Sequence, residues 1–337
     1  MRVAVVGAGI AGIACARVLA AGGHEVVVLD RGRVPGGRMA SRTLDDRVVD
    51  LGASYLVARD PAFTAVVADW QQRGLARPWT TQFAVWDGGL QPPKPGPTRW
   101  AAPRGLRSLV ADLATGLDVR QGVDVTSAGQ GRADDQAYDE VVLAMPDPQA
   151  LRLLDDSCPQ ERALLEGRAW HPVLALAARA PRRSWDWDGL FVHGSKVLEW
   201  VADDGSRRGD GAPVLVAHST PSFAAQHLQD PAGAAPELVA ALAPLLGRAE
   251  VRPDTSPHVR PDTSPQVRPA APAPAAAPAP VQLTVQRVQR WSFAKPADAR
   301  EQPFHRGRVS LCGDGWGASK VEAAWLSGTA LGQDLCS

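Results

Sequence analysis

The chain has 337 residues, of which 45% are hydrophobic and 21% charged. Its 36 Lys and Arg balance 36 Asp and Glu, at a pI near 7.1. Such a length suits about two domains. The composition excludes wholesale disorder, and no basic field exists to hold a nucleic-acid backbone.

The elements read as follows in chain order. Residues 3–6, Val-Ala-Val-Val, form a short apolar run that ends at a glycine turn, which predicts a buried parallel strand. Residues 11–21 read as a helix closed by Gly22 and Gly23, and 25–29 as a second buried strand ending at Asp30. Together they make a β-α-β unit. A strand over 47–56, a helix over 61–73 and a Pro/Gly-rich loop over 91–97 follow. Then come a helix over 105–113, strands over 118–126 and 139–144, and a helix over 151–165 broken near Cys158-Pro159. From 173 onward the texture changes. Strands over 173–178, 190–193, 196–202 and 214–219 lack long intervening helices and predict a largely antiparallel sheet. A helix over 237–246, a long strand over 283–293, a short strand over 308–311 and a closing helix over 320–335 complete the chain.

Residues 251–280 fit neither pattern. Val-Arg-Pro-Asp-Thr-Ser-Pro begins at Val251 and again at Val259, and decays into Ala/Pro repeats. A stretch this rich in proline cannot form a ladder or a helix interior, so a disordered, solvated insert is expected.

Four cysteines, Cys15, Cys158, Cys312 and Cys336, are too dispersed for a metal or redox motif. They fit a reducing compartment better than a disulfide framework. The apolar start of the chain is broken by Gly7, Gly9, Gly12 and Arg17, and no uncharged apolar run reaches the roughly 18 residues of a membrane span. The expectation is a cytoplasmic protein with neither a membrane nor a nucleic acid as partner.

Gly7-Ala8-Gly9-Ile10-Ala11-Gly12 is GxGxxG between a strand and a helix, with Asp30 eighteen residues beyond Gly12. That context is the dinucleotide fingerprint: a tight turn, a close backbone approach to a pyrophosphate, tight helix–strand packing, and an acid for a ribose diol. Gly36-Gly37-Arg38-Met39 and Cys312-Gly313-Asp314 add a second glycine pair and a second acid, which favour FAD over NAD. The helix carrying Val321-Glu322-Ala323 starts just after, where its dipole suits the pyrimidine end of a flavin.

These motifs carry a resemblance. The segments 50–63, Asp-Leu-Gly-Ala-Ser-Tyr-Leu-Val-Ala-Arg-Asp-Pro-Ala-Phe, and 321–328, Val-Glu-Ala-Ala-Trp-Leu-Ser-Gly, resemble the bacterial renalase-like family within the flavin amine oxidase superfamily. Further matches are 138–146, Trp200-Val-Ala, His218-Ser-Thr-Pro, Arg290-Trp291 and Gly313-Asp-Gly-Trp. The resemblance covers most of the chain outside 251–280. Ser54 departs from the usual Gln, Gln289 from the common His, and Asp203-Asp204 from a polar amide.

The resemblance implies a two-domain α/β flavoprotein. A Rossmann-like FAD domain would comprise 1–75, 100–150 and 300–337. A mixed, largely antiparallel substrate domain would comprise 76–99 and 151–299. It also implies non-covalent FAD held by Gly7, Gly9, Ala11, Gly12, Asp30, Arg31, Gly37, Arg38, Met39, Ser54, Tyr55, Val125, Gly313, Asp314, Val321, Glu322 and Ala323. The implied reaction oxidises 2- and 6-dihydro isomers of NAD(P) by hydride transfer to flavin N5, with O2 as electron acceptor and hydrogen peroxide as product.

The residues are compatible with this reaction. A dihydropyridine that loses hydride becomes an aromatic cation, so orientation matters more than a general base. No Ser/His/Asp set, carboxylate pair or metal cluster stands out, and no metal is expected. Tyr55, Arg59, His218 and Trp291 are the candidates to contact substrate. A flavin amine oxidase or desaturase is the first alternative. It would want an aromatic cage, yet the two tyrosines are Tyr55 and Tyr138, and no lysine is clearly placed beside a flavin. A non-catalytic FAD-binding protein is the second.

Overall fold

A computed structural model describes residues 1–246 and 282–337. Its first sheet has five parallel strands in the order Ser310–Leu311, Glu140–Leu143, Arg2–Val6, Glu25–Asp30 and Asp118–Gln121. Arg2–Val6 lies at the centre, and Val3, Ala4 and Val5 are fully buried, as a strand covered on both faces requires. The helix Ile10–Ala21 packs against the C-terminal helix Val321–Cys336 at a glycine: a Cβ on Gly328 would sit 1.9 Å from the Ala11 carbonyl oxygen.

The second sheet has seven strands in the order Thr284–Pro296, Trp170–Arg179, Val214–Ser219, Leu198–Asp203, Gly189–Val192, Arg77–Trp86 and Leu90–Ala101. All neighbours pair antiparallel except Gly189–Val192 with Arg77–Trp86. One face, with Leu174, Leu176, Leu190 and Leu215, is packed by Phe223 and Leu238 from the helices Pro221–Gln226 and Ala235–Leu242. The other face meets residues 49–56, which arrive from the first sheet's side of the molecule. This is the expected class: a Rossmann-like parallel sheet with a second, largely antiparallel one.

Several expectations are corrected. Residues 91–97 are not a loop but part of the edge strand Leu90–Ala101. Pro92, Pro93, Pro95 and Pro97 are tolerated because an edge strand leaves half its N–H groups unpaired, and the register slips three times along it. Its partner, Arg77–Trp86, has no counterpart in the sequence reading. The strand expected over 47–56 stops at Asp50, where it pairs with Ser41–Leu44; only Leu56 bridges onward, to Trp100. The strand expected to reach 126 ends at Gln121. The helix over 151–165 is two helices, Asp147–Leu153 and Pro159–Leu165, parted near Cys158 as expected. The insert over 251–280 lies outside the described residues. Among the described residues, no helix is long and apolar enough to cross a membrane.

Candidate functional site

The glycine turn has the geometry its sequence implies. Gly7 sits at φ +113°, open only to glycine, and a Cβ there would lie 2.6 Å from the Ala144 carbonyl oxygen. A Cβ on Gly12 would lie 2.0 Å from the Gly7 carbonyl oxygen. Gly9 is different: a Cβ there meets nothing within 4 Å. It caps the twelve-residue helix Ile10–Ala21, whose first turn has no acid and no side-chain cap, so its N–H groups face an open approach. Gly37 closes on the same point, with its Cβ position 3.2 Å from the Gly9 Cα. The Gly36 N–H donates to the Ala8 carbonyl at 2.9 Å.

Asp30 ties this loop together. Its two carboxylate oxygens accept from the Ala8 and Gly32 N–H groups, each at 2.6 Å. Carboxylate oxygens have further lone pairs, so a ribose diol remains a compatible partner. Arg31 is exposed beside it. Ala11, Met39 and Val125 are buried, Val125 in the cluster that holds Val6 and Leu29.

Arg38 and Asp314 meet as a bidentate ion pair, at 2.8 and 2.5 Å. Arg38 also donates to the Ala294 carbonyl at 3.1 Å and stands over the Trp170 ring. Asp314 follows Gly313, which is at φ +142° with open space where a Cβ would be. Val321 and Ala323 are half-buried in the first turn of the C-terminal helix. Glu322 between them braces another loop, accepting from the Arg59 and Asp60 N–H groups at 2.5 and 2.8 Å. Arg59 itself is exposed, and its contact there is through its backbone.

The second half of the site is the sheet face that meets residues 51–55. Trp200, His218, Ala175 and Gln289 lie opposite one another on four successive strands and therefore share this face. The Trp200 indole N–H donates to Ser54 Oγ at 2.9 Å, and the Trp291 indole N–H to the Leu51 carbonyl at 2.7 Å. Two tryptophans thus pin residues 51–54 to the sheet, so Trp291 acts partly as an anchor. Tyr55 then falls into a ring cluster, 5.1 Å from Phe83, 5.8 Å from Trp200 and 6.2 Å from Trp79 between centroids. Burial raises its phenol pKa against the opposing pull of Arg99.

His218 has no hydrogen-bond partner at Nε2, an atom sealed from solvent although the residue keeps some surface. Burial lowers its pKa to about 3, reinforced by Lys295 and Arg207. It is neutral at physiological pH. Lys295 pairs with Glu199 nearby. Cys312 is buried, and burial pushes its thiol up to about 12.

The structure therefore brings Tyr55, His218 and Trp291 to one face and leaves Arg59 exposed. Sequence reasoning missed Trp79, Phe83, Arg99, Trp200 and Lys295 as members. The aromatic group judged absent on tyrosine count is present, built of Trp and Phe. The strand that carries Trp79 and Phe83 gives no clean alternation to signal it, because Thr81 between them is exposed and the register slips there. Tyr138, the second tyrosine, packs in another cluster under Arg2.

Comparisons with known proteins agree with this architecture. The NAD(P)-binding Rossmann-like domain family matches residues 5–70. A hydroxyneurosporene desaturase of Rubrivivax gelatinosus is 39% identical over 80 residues, 23% of this chain and 15% of that one. A 4,4'-diapophytoene desaturase of Staphylococcus haemolyticus is 40% identical over 60 residues, 18% of this chain. The chain thus aligns with only 15% and 12% of these relatives' lengths. Solved structures match along the whole chain. A protein assigned as a protoporphyrinogen oxidase from Exiguobacterium sp. 255-15 superposes with TM-score 0.72 and 15% identity, covering 99% of this chain and 98% of that one. A putrescine oxidase bound to putrescine superposes with TM-score 0.65 and 16% identity, with the same coverage. The chain carries a Rossmann-like dinucleotide-binding domain within the two-domain fold of these oxidoreductases.

Proposed function

We propose that the chain is an FAD-dependent oxidase of 2- and 6-dihydro isomers of NAD(P), akin to the renalase-like family. The glycine cradle fits the cofactor: open space at Gly9, the uncapped helix start and Asp30 suit its phosphates and ribose. Arg38 and Asp314 stand where the chain can hold the remainder. Bound FAD supplies a two-electron hydride acceptor, and its reoxidation by O2 yields hydrogen peroxide.

The chain's own part is orientation. Tyr55 and Trp291, both half-buried, offer aromatic rings for a flat dihydropyridine, with the buried Trp200 packed against Tyr55. The observation that carries the reading is geometric: residues 51–55, pinned by the Trp200 and Trp291 indoles, meet the sheet face that also holds His218. His218 is held neutral near pKa 3, and the Tyr55 phenol is raised. Neither titrates in the neutral range, so the site offers a surface for a donor that needs no deprotonation. We place the cofactor domain at 1–75, 100–150 and 300–337 and the substrate domain at 76–99 and 151–299. Four free thiols fit the cytoplasm.

One observation favours an amine oxidase instead: Lys295 stands near His218, which lies opposite Trp200. Against it, the cation Arg99 lies over Phe83 and repels an ammonium substrate. The desaturase identity covers too little of the chain to bear on substrate. Anaerobic mixing of flavin-loaded protein with both isomers, NADH and a panel of amines separates these readings. Bleaching of the flavin's visible band by the isomers alone is the expected result. Bleaching by amines, or by nothing, overturns it in favour of an amine oxidase or a non-catalytic FAD-binding protein.

A further inference from the structure

Arg99 borders the aromatic cluster around Tyr55. It lies near the end of the edge strand Leu90–Ala101, and its guanidinium stands 4.2 Å over the Phe83 ring. Its Nη1 is sealed from solvent and has no hydrogen-bond partner. Among the described residues, Arg38, Arg207, Arg208 and Arg300 each lie against a carboxylate, whereas Arg107, with an unpartnered Nε, shares the situation of Arg99. Burial lowers the Arg99 pKa, with the Tyr55 phenol acting in the opposite direction. The strand makes room for this arrangement. A Cβ on Gly96 would lie 2.7 Å from Arg99 Nη2. The paired Leu56–Trp100 bridge, at 3.1 and 2.8 Å, fixes Arg99 one residue away from a contact to the residue after Tyr55.

Arg99 is a half-buried guanidinium with one sealed, unpartnered nitrogen and no carboxylate against it among the described residues, stacked on the ring that also contacts Tyr55. Nη1 is sealed, but Nε and Nη2 are not, and that edge of the fork is one along which a guanidinium grips an oxyanion with two parallel hydrogen bonds. We propose that Arg99 forms an anion-binding subsite that holds the phosphate or pyrophosphate ester of the substrate beside the aromatic wall. The proposal rests on the dihydropyridine reading for the identity of the substrate. The chemistry of the subsite is an oxyanion whichever molecule carries it.

The test compares flavin-loaded wild type with R99M, which keeps the stem over Phe83, and R99K, which keeps the charge and loses the fork. Substrates are a dihydronicotinamide mononucleotide isomer and the corresponding riboside, which lacks the phosphate. The expected result is a fall of about tenfold or more in the mononucleotide-over-riboside preference of R99M, seen in KM, with R99K between. A merely structural arginine moves both substrates together, and that outcome overturns the proposal. So does an unchanged preference with wild type active, which leaves the proposed function standing. If wild type oxidises neither substrate, the proposed function fails, and inorganic pyrophosphate decides the subsite alone. Quenching of wild-type tryptophan fluorescence by pyrophosphate, weakened about tenfold or more in R99M, supports it; equal or absent quenching overturns it.

Discussion

Arg38 and Asp314, 276 residues apart in sequence, form a two-pronged ion pair that joins the loop after the second strand to the C-terminal segment. Asp314 is almost wholly buried and Arg38 largely so. Removing the acid leaves a half-desolvated guanidinium with only the Ala294 carbonyl. We expect D314A to lower stability by about 2–3 kcal/mol and to reduce retained flavin. Urea unfolding and the flavin-to-protein absorbance ratio check both. Unchanged flavin content would assign the pair to structure alone.

Gly9 and Gly12, three residues apart in the same turn, should fail in opposite ways. G12A drives a Cβ to 2.0 Å from a backbone oxygen, and we expect little folded protein. G9A meets nothing within 4 Å and should fold with a stability within about 1 kcal/mol of wild type. If the cofactor's phosphate passes Gly9, the same variant loses flavin. A folded, fully flavin-loaded G9A would sink the cradle as drawn.

The glycine turn was legible because its constraints are local: Gly7, Gly12 and Asp30 meet one another within one β-α-β unit. The hairpin of Arg77–Trp86 and Leu90–Ala101 was not, because four prolines signal a loop unless the strand is known to be an edge. The aromatic face was hidden for a different reason. That Trp200, His218 and Gln289 share a face depends on the register of strands far apart in sequence, and no periodicity within one segment reports it. Asp203-Asp204, noticed only as a departure from a family pattern, proves structural. Asp203 caps the helix Asp204–Arg208 and accepts from Arg183 and the Trp185 indole.

Asp204 is the hub of a buried charge cluster. Arg47, Arg207 and Arg208 all contact it, and Arg207 reaches on to the Asp50 and Ser54 carbonyls at 3.1 and 3.0 Å. The cluster thereby braces the segment that carries Tyr55. Its guanidiniums hold the Asp204 carboxyl at about 2, below the ordinary 3.8. That stabilisation is complete above pH about 4 and is lost as pH falls toward 2. D204N should lower stability at neutral pH by about 3–5 kcal/mol, since it strands buried arginines. Chemical denaturation at pH 7 tests this. A loss under about 1 kcal/mol would mean that the cluster is replaceable by neutral hydrogen bonds.

Tyr55 is proposed to act through its ring. Y55F keeps the contacts with Phe83, Trp79 and Trp200. Its turnover should stay within about threefold of wild type, because a phenol with a raised pKa has no proton to accept near pH 7. Y55L removes the ring and should slow flavin reduction by about tenfold or more. A loss of about a hundredfold in Y55F would instead make the hydroxyl a proton-transfer group.

His218 supplies the sharpest pH signature. Its ordinary pKa is 6.5, and in the folded chain it is about 3, because burial and the nearby Lys295 and Arg207 disfavour the imidazolium. Between those values the unfolded chain takes up a proton that the folded chain refuses. Stability from this group is therefore complete above pH 6.5 and declines as pH falls toward 3. From pH 7.5 to pH 5 the wild type should lose about 2 kcal/mol that H218L, which has no imidazole to protonate, retains. Urea unfolding of both proteins at the two pH values measures the difference directly. Parallel pH profiles would show that the imidazole takes up its proton equally in the folded and unfolded chain. Burial would then not be what keeps His218 neutral, and the wall would be neutral only above the ordinary imidazole pKa of 6.5.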